Sequence, residues 1–386
     1  MDRWTRAATE AFPLIEVWGP PRERGRRYGR AAAARIKLGV EHYAGQLAAT
    51  GFAWEAVREL VHAYLPRIEA FEPAYVEEMR GIAEGAELDF EAIVLLNART
   101  EILKSAQRRA QAEEADGCTG VVVLPEATAA RRLIHAQNWD WKVECAETAV
   151  VLRILRDDGP DLLTFTEAGG LARSGLNAAG IAITANYLES DRDYCQVGVP
   201  LALIRRKVLE SEHVALAMRA VYVTPKSAAN NMIVSHAGGV AIDFECAPDE
   251  TFQVLPDRGL LVHANHWVSP VALTKLRDTG IANTPDSLYR DLRVRGLLVP
   301  QIGALTPDAV KAALFDDFAT PWSVCRTPRR SLGNTLTATV AMIVMEPAAG
   351  VLEAAPLPAL NRRFTTYTLE AGRVAAPAEP PVPAPA

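Results

Sequence analysis

The sequence has no long apolar run, no basic tract, no phosphate loop and few cysteines, and each absence removes a class of function. No stretch approaches the ~18 uninterrupted apolar residues that a membrane-spanning helix needs. The opening "MDRWTRAATEAF" lacks the apolar centre of a secretory signal. Lys and Arg number 41 against 47 Asp and Glu, a formal net charge of −6, so nothing favours nucleic acid. The one locally basic stretch, "RERGRRYGR" (Arg22 to Arg30), reads as the solvated start of a helix. Neither G-x-G-x-x-G nor the G-K-[ST] phosphate loop occurs. The five cysteines are Cys118, Cys145, Cys195, Cys246 and Cys325. Their odd number, wide spread and lack of a C-x-x-C pair argue against a disulfide framework or a cysteine-rich zinc site. The expected setting is a reducing cytoplasm, with neither membrane nor nucleic acid as partner.

What is present is an ordinary globular composition, 49% hydrophobic and 23% charged over 386 residues, enough for one large domain or two smaller ones. The N-terminal part reads mostly as helix. "GRRYGRAAAARIKLGVEHYAGQLAA" carries an apolar stripe at Ile36, Val40, Tyr43 and Leu47. "WEAVRELVHAYL" and "EPAYVEEMRGIAEGAEL" continue it, and "DFEAIVLLNARTEIL" opens on an acidic cap. Lys104 to Gly117, "KSAQRRAQAEEADG", is polar and reads as an exposed linker or a helix end.

After Cys118 the period changes to short β-rich runs: "TGVVVLP", "RRLIHAQNWD", "TAVVLRILRD", "DLLTFTEA" and "IAITANY". A helix follows in "GVPLALIRRKVLESEHVALAMRAVY", then a Gly-Gly hairpin in "NMIVSHAGGVAIDFECAP". "GLLVHANHW" returns to a strand. "PDSLYRDLRVRGLL" and "TPDAVKAALFDDF" read as helices, and "TLTATVAMIVMEPAAGVLEAA" as a last hairpin. The Pro/Ala-rich tail, 373–386, is expected to be disordered. Strands, helices and strands again, without regular βαβ alternation, predict an α+β layered architecture.

Chemistry begins at "EEADGCTGVVV" (Glu113 to Val123). A free cysteine is commonly a small buried hydrophobe. Cys118, however, opens a strand and follows Gly117, whose carbonyl a nucleophile can approach because no side chain stands in the way. Asp116 adds a polar group at the turn. "AQNWDW" brings Asn138 and Asp140, as turn formers or as a carboxylate aimed at a site. "EAGGLARSGLNAAG" contains Asn177 in a glycine-dense segment that turn chemistry alone could explain. "HANHW" ends a strand with His263, Asn265 and His266; two histidines without a third ligand make a poor zinc site. An Asn amide at a strand end is a plausible oxyanion donor.

"DGCTG", "QNWDW", "TEAGGLARSGLNAAGIAI" and "HANHW", in this order and spacing, resemble the acyl-coenzyme A:6-aminopenicillanic acid acyltransferase family, the C45 peptidases of the N-terminal-nucleophile hydrolase superfamily. The likeness extends upstream to "RGRRYGRAAAARI" and "EEMRGIAEGAELDFEAIVLLNARTE" and downstream to "WSVC", covering nearly the whole chain except the tail. The enzyme for which the family is named carries an arginine near "RRSLGNTL"; here Arg329 and Arg330 lie just before that stretch, with Leu332 at the matching place.

The resemblance implies a four-layer αββα sandwich and a precursor that cuts itself between Gly117 and Cys118. Residues 1–117 would become a mostly helical α chain, and 118–372 the nucleophile-bearing, β-rich β chain of the same domain, the two forming a heterodimer. Cleavage would free an α-amine beside the thiol, and such an amine, titrating near ~8, can act as base. Cys118 would then form an acyl-enzyme and pass the acyl group to water or an amine. Asn265, then Asn177, would supply oxyanion donors. Asp140 would orient the amine or assist precursor cleavage. No cofactor is implied; the substrate would be a small amide or acyl thioester, with coenzyme A thioester as an acyl donor by resemblance. Two other readings stand beside this one: a papain-like hydrolase pairing Cys118 with His263 or His266 in an uncut chain, and a non-catalytic relative that binds an acyl ligand.

Overall fold

The computed structural model describes residues 10–109, 117–331 and 335–370. Two β-sheets stack face to face between helical layers, the αββα sandwich that the resemblance implies. The first sheet has eight strands in the order β1 (Leu14–Trp18), β4 (Ala149–Leu155), β5 (Leu162–Glu167), β6 (Ser174–Asn177), β7 (Ile181–Tyr187), β8 (Asn230–His236), β9 (Val240–Cys246) and β10 (Thr251–Val254). The second runs β11 (Leu260–His263), β2 (Gly117–Val123), β3 (Ile134–Lys142), β13 (Leu336–Glu346), β14 (Val351–Pro356) and β15 (Thr365–Thr368), with β12 (Arg329–Arg330) paired to β13. The hairpins around Gly238–Gly239 and Pro347–Gly350 fall where turn chemistry predicts them.

Helices α1 (Pro21–Ala49), α2 (Trp54–Phe71), α3 (Pro73–Ala86), α4 (Phe90–Asn97) and α5 (Arg99–Arg109) precede β2. With α7 (Leu201–Leu209) and α8 (Val214–Val223) they cover the first sheet. Helices α10 (Ser287–Leu298) and α11 (Pro307–Leu314) cover the second. The short α6 (Cys145–Thr148) and α9 (Pro270–Leu273) lie in connections. Among the described residues no helix is long and apolar enough to cross a membrane.

Several expectations change. The N-terminal part, mostly helical as expected, adds one strand: β1 pairs in parallel with β4, tying residues before Cys118 into a sheet made otherwise of residues after it. The polar segment from Lys104 is helical through Arg109, with Lys104 and Gln107 buried; 110–116 lie outside the described residues, as do 371–386 with the tail. The basic stretch Arg22 to Arg30 opens α1, as expected, with Arg22 and Arg30 exposed, and its glycine face is also a helix crossing. Gly25 and Gly29 on α1 meet Gly81 and Gly85 on α3. A Cβ on Gly81 would stand 2.0 Å from the Arg22 carbonyl oxygen, and one on Gly29 2.3 Å from that of Ile82. Only glycine permits this backbone contact. Arg24 is buried there and pairs with Glu78 at 2.6 Å, while Arg26 reaches Glu84 at 2.6 Å.

Between the sheets the core is partly polar. His135 on β3 bridges Ser235 and Thr184 of the opposite sheet at 2.8 Å each. Gln137 donates to the Ala185 carbonyl (2.7 Å) and accepts from Ser174 (2.7 Å). These bonds fix the two sheets in register against each other, which apolar packing alone, being non-directional, does not.

Candidate active site

Cys118 is the second residue of β2 and is 1% exposed. Its register partner on β3 is Trp139, and that of Gly117 is Asp140. Residues along a strand face alternate sides. Cys118 joins Trp139 in the core between the sheets, while Asp140 meets Arg326 in the segment before β12, and Arg326 in turn meets Asp286. Arg173, in the loop before β6, lies over the Trp139 ring at 4.1 Å and brings Nη2 to 3.9 Å from the Cys118 sulfur. A guanidinium beside a sulfur favours the thiolate.

The main chain of Cys118 is held from both sides. Asn265, just past the end of β11, accepts the Cys118 backbone N–H on Oδ1 at 2.8 Å. Arg290 on α10 donates to the Cys118 carbonyl (2.6 Å), to Thr119 Oγ1 (2.9 Å) and to Asn265 Oδ1 (2.8 Å). Asp286, one turn earlier, anchors Arg290 through Nε at 2.8 Å and also accepts from Arg326. Burial alone would raise the Asp286 carboxyl; Arg290 and Arg326 outweigh it and hold it below the ordinary carboxylate range.

Asp140 lies under the Gly117–Cys118 junction. Its Oδ1 accepts from Thr339 at 2.6 Å, and its Oδ2 stands 3.3 Å from Arg326 Nε, a charge contact not aligned as a hydrogen bond. A Cβ on Gly117 would meet Arg326 Nη1 at 2.5 Å and Asp140 Oδ2 at 2.8 Å. The glycine before Cys118 is therefore what lets this ion pair approach the junction.

Two expectations are corrected here, those for Asn177 and for the histidines, and the orientation of Asn265 is added. Asn177 is not brought to the thiol: its Nδ2 donates to the carbonyls of Leu209 and Ser211, both at 2.9 Å, and its Oδ1 accepts from Ile181 N, so both protons are used in joining β6 and α7. Asn265 presents its oxygen rather than its amide nitrogen to Cys118; Nδ2 donates to the Tyr187 carbonyl at 2.8 Å. The histidines do not pair with Cys118. His263 is bonded to Glu245 (2.8 Å) and the Ala264 carbonyl (3.0 Å), and His266 to Ser287 (2.8 Å). Asn138 is a brace, donating to the carbonyls of Leu314 and Val324. Among the described residues no cluster of His, Cys, Asp and Glu could hold a metal.

Sequence reasoning missed Arg173, Asp286, Arg290 and Arg326. Asp286 and Arg290 stand four apart in "PDSLYRDL", a spacing read only as helix. Arg326 immediately follows "WSVC". Leu332 lies outside the described residues; the arginine that meets Asp140 is Arg326, six positions earlier. Of the other cysteines, Cys145, Cys246 and Cys325 are buried, and burial pushes the Cys325 thiol up to about 12, whereas Cys195 is exposed. A cleft of about 870 Å³, lined from α2, α3, α7 and α8, does not include Cys118.

The acyl-coenzyme A:6-aminopenicillanic acid acyl-transferase family profile matches residues 128–355. The 40 kDa form of the acyl-coenzyme A:6-aminopenicillanic-acid-acyltransferase of Emericella nidulans is 30% identical over 331 residues, covering 83% of this chain and 87% of that protein. Solved structures show a more distant likeness. A conjugated bile acid hydrolase from Clostridium perfringens gives a TM-score of 0.47 at 12% identity, over 67% of this chain and 94% of that one. A penicillin V acylase from Agrobacterium tumefaciens gives 0.41 at 13%, over 66% and 92%. The chain belongs to the acyl-coenzyme A:6-aminopenicillanic acid acyltransferase family, and it is an enzyme of acyl transfer or amide hydrolysis.

Proposed function

We propose that the protein is a self-cleaving cysteine amidohydrolase or acyltransferase whose nucleophile is Cys118. In the precursor, the Cys118 thiol adds to the Gly117 carbonyl. The peptide C–N bond breaks as the thioester C–S bond forms, and the departing nitrogen takes a proton to become the Cys118 α-amine. Water then hydrolyses the thioester, releasing the Gly117 carboxylate and restoring the thiol. Asp140, beside Gly117, orients the junction with Arg326.

In the mature enzyme the α-amine, near ~8 by its chemistry, takes the thiol proton as Cys118 attacks an amide or thioester carbonyl. Asn265 Oδ1 holds that amine, and Arg290 holds Asn265. The second proton on Asn265 Nδ2, beyond the one given to Tyr187, serves the oxyanion. The leaving amine or thiol departs with the proton, and water or an amine takes the acyl group. Acyl-coenzyme A is one such thioester donor. The two chains stay together as a heterodimer, because β1 remains paired with β4 and Tyr367 donates to the Phe12 carbonyl at 2.6 Å.

The observation that carries this reading is the grip on the main chain of Cys118 by Asn265 and Arg290, which suits a residue whose backbone nitrogen is to become a catalytic group. The test is intact mass and turnover together. Purified protein should separate into 1–117 and 118–386 and hydrolyse simple amides. Full activity in an uncut chain would refute it.

A further inference from the structure

We propose that Glu245 is a positioning residue for acyl transfer: its buried carboxylate ties down the chain on both sides of Asn265 and so places that side chain at Cys118. The inference rests on the reading of Cys118 as nucleophile and of Asn265 as the group that serves it. Pairing of β11 with β2 ends at His263 opposite Gly120, two residues before the register would bring Asn265 to Cys118. Beyond that point the chain leaves the ladder, and Asn265 meets the Cys118 N–H with its side chain instead, at 2.8 Å. The place of Asn265 is therefore set by whatever holds 264–269.

Glu245 lies on β9 of the first sheet and is fully buried. Its Oε1 accepts from His263 Nε2 (2.8 Å), ahead of Asn265, and from the Val268 N–H (2.7 Å), beyond it. Its Oε2 accepts the Ser269 N–H at 3.0 Å. Other groups hold one side. Asn186 donates to the carbonyls of His263 (2.9 Å) and Ala264 (3.0 Å), and Asp278 accepts the Trp267 N–H (3.0 Å). Glu245 joins the two sides through one carboxylate. The tie is also ionic. His263 Nδ1 faces the Ala264 carbonyl (3.0 Å) and Nε2 faces the Glu245 carboxylate, so both ring nitrogens meet acceptors, which suits an imidazolium. Burial would lower this imidazole, but Asp243, 3.7 Å away, and Glu245 outweigh it and push it up to about 9. Hydrogen bonds between charged partners are roughly twice as strong as neutral ones. Glu245 thus anchors the end of an edge strand of the second sheet to the first.

Glu245→Gln keeps the shape, removes the charge and turns an amide nitrogen toward one of these donors. Glu245→Asp keeps the charge but is one methylene too short to span both sides. Per cleaved chain, counted by intact mass, kcat should fall about 10- to 100-fold in Glu245→Gln, the effect of a misplacement of ~1 Å, with KM near parental. Glu245→Asp should show a smaller loss of the same kind. The loss should vanish in an Asn265→Ala background: the double variant should turn over no more slowly than Asn265→Ala alone, because the group through which Glu245 acts is gone. A carboxylate that only stabilises the fold would lower kcat by the same factor in both backgrounds, and that result would overturn the proposal. Parental kcat in Glu245→Gln, or in Asn265→Ala, would also overturn it. Should Glu245→Gln fail to fold, the same comparison with Glu245→Asp decides. In all these outcomes the parent turns over, so the amidohydrolase reading stands. If the parent turns over no amide or thioester and stays uncut, that reading fails, and the crystal structure of Glu245→Gln or Glu245→Asp decides this one. Asn265 drawn away from the Cys118 nitrogen keeps it, and an unchanged 2.8 Å contact overturns it.

Discussion

Asn265 Oδ1 stands 2.8 Å from the backbone nitrogen of Cys118 and 2.8 Å from Arg290 Nη2. One amide oxygen thus receives both the nitrogen that self-cleavage would free and the arginine that grips the same residue's carbonyl. The donors around it fix the orientation of the amide, since a nitrogen in that place would face two N–H groups.

Asn265 is expected to serve two steps separably. Asn265→Asp keeps the acceptor for Cys118 N and loses the donor; Asn265→Ala loses both. Turnover should fall by ~10²–10³ in each. Precursor cleavage should continue in the aspartate variant and slow in the alanine variant. Fragment ratios and kcat on both proteins check this, and parental kcat in cleaved Asn265→Ala would move the oxyanion role elsewhere.

Gly117→Ala places a methyl 2.5 Å from Arg326 Nη1 and 2.8 Å from Asp140 Oδ2. The ion pair must move, and uncut chain should accumulate while thermal unfolding stays cooperative. Cys118→Ala should be uncut and inactive. Cleavage of Gly117→Ala at the parental rate would show that the close approach of Asp140 and Arg326 is unimportant for processing.

Alkylation should inactivate through Cys118, but the exposed Cys195 must be removed first. In a Cys195→Ser background, one equivalent of label should map to Cys118 and abolish turnover. Label on Cys118 with activity intact would exclude it as nucleophile.

Stability should depend on two buried histidines in opposite directions. Burial pulls His135 down to about 3, below its unfolded value of ~6.5. Its contribution is present above ~6.5 and is lost as pH falls toward about 3. For His263, burial would lower the imidazole, but Asp243 and Glu245 outweigh it and push it up to about 9. Its contribution is present below ~6.5 and lost as pH rises through about 9. Asp243, raised to about 6 by burial, opposes the His135 effect in acid, so each arm is read as a difference from a variant. Urea midpoints should show His135→Gln flattening the acid arm and His263→Gln the alkaline arm. Parallel pH profiles in parent and variants would contradict both assignments.

The α1–α3 crossing offers a matched pair. Gly81→Ala drives a methyl into backbone, 2.0 Å from the Arg22 carbonyl oxygen, and should cost ~1–3 kcal/mol or more. Gly45→Ala, on α1 with nothing within 4 Å, should gain ~0.4–1 kcal/mol. Denaturant unfolding distinguishes them.

The sequence by itself determined the change from helical to β-rich character near Cys118, the hairpins, and the motifs at Gly117–Cys118, Asp140 and Asn265, because periodicity, turn residues and spacing are local properties. It also carried the family, through an ordered set of such motifs. Only the tertiary structure decided which polar groups meet. Arg173, Arg326 and the Asp286–Arg290 pair come from three separate segments, and in sequence each is one more charged residue. Asn177 and Asn265 look alike in sequence; packing commits the first to the Leu209 and Ser211 carbonyls and brings the second to the Cys118 nitrogen. Arg24, beside Gly25, reads as solvated until α3 lies against it. A strand or helix is set by neighbours in the chain, whereas the partner of a buried hydrogen bond is set by which surfaces the fold presses together.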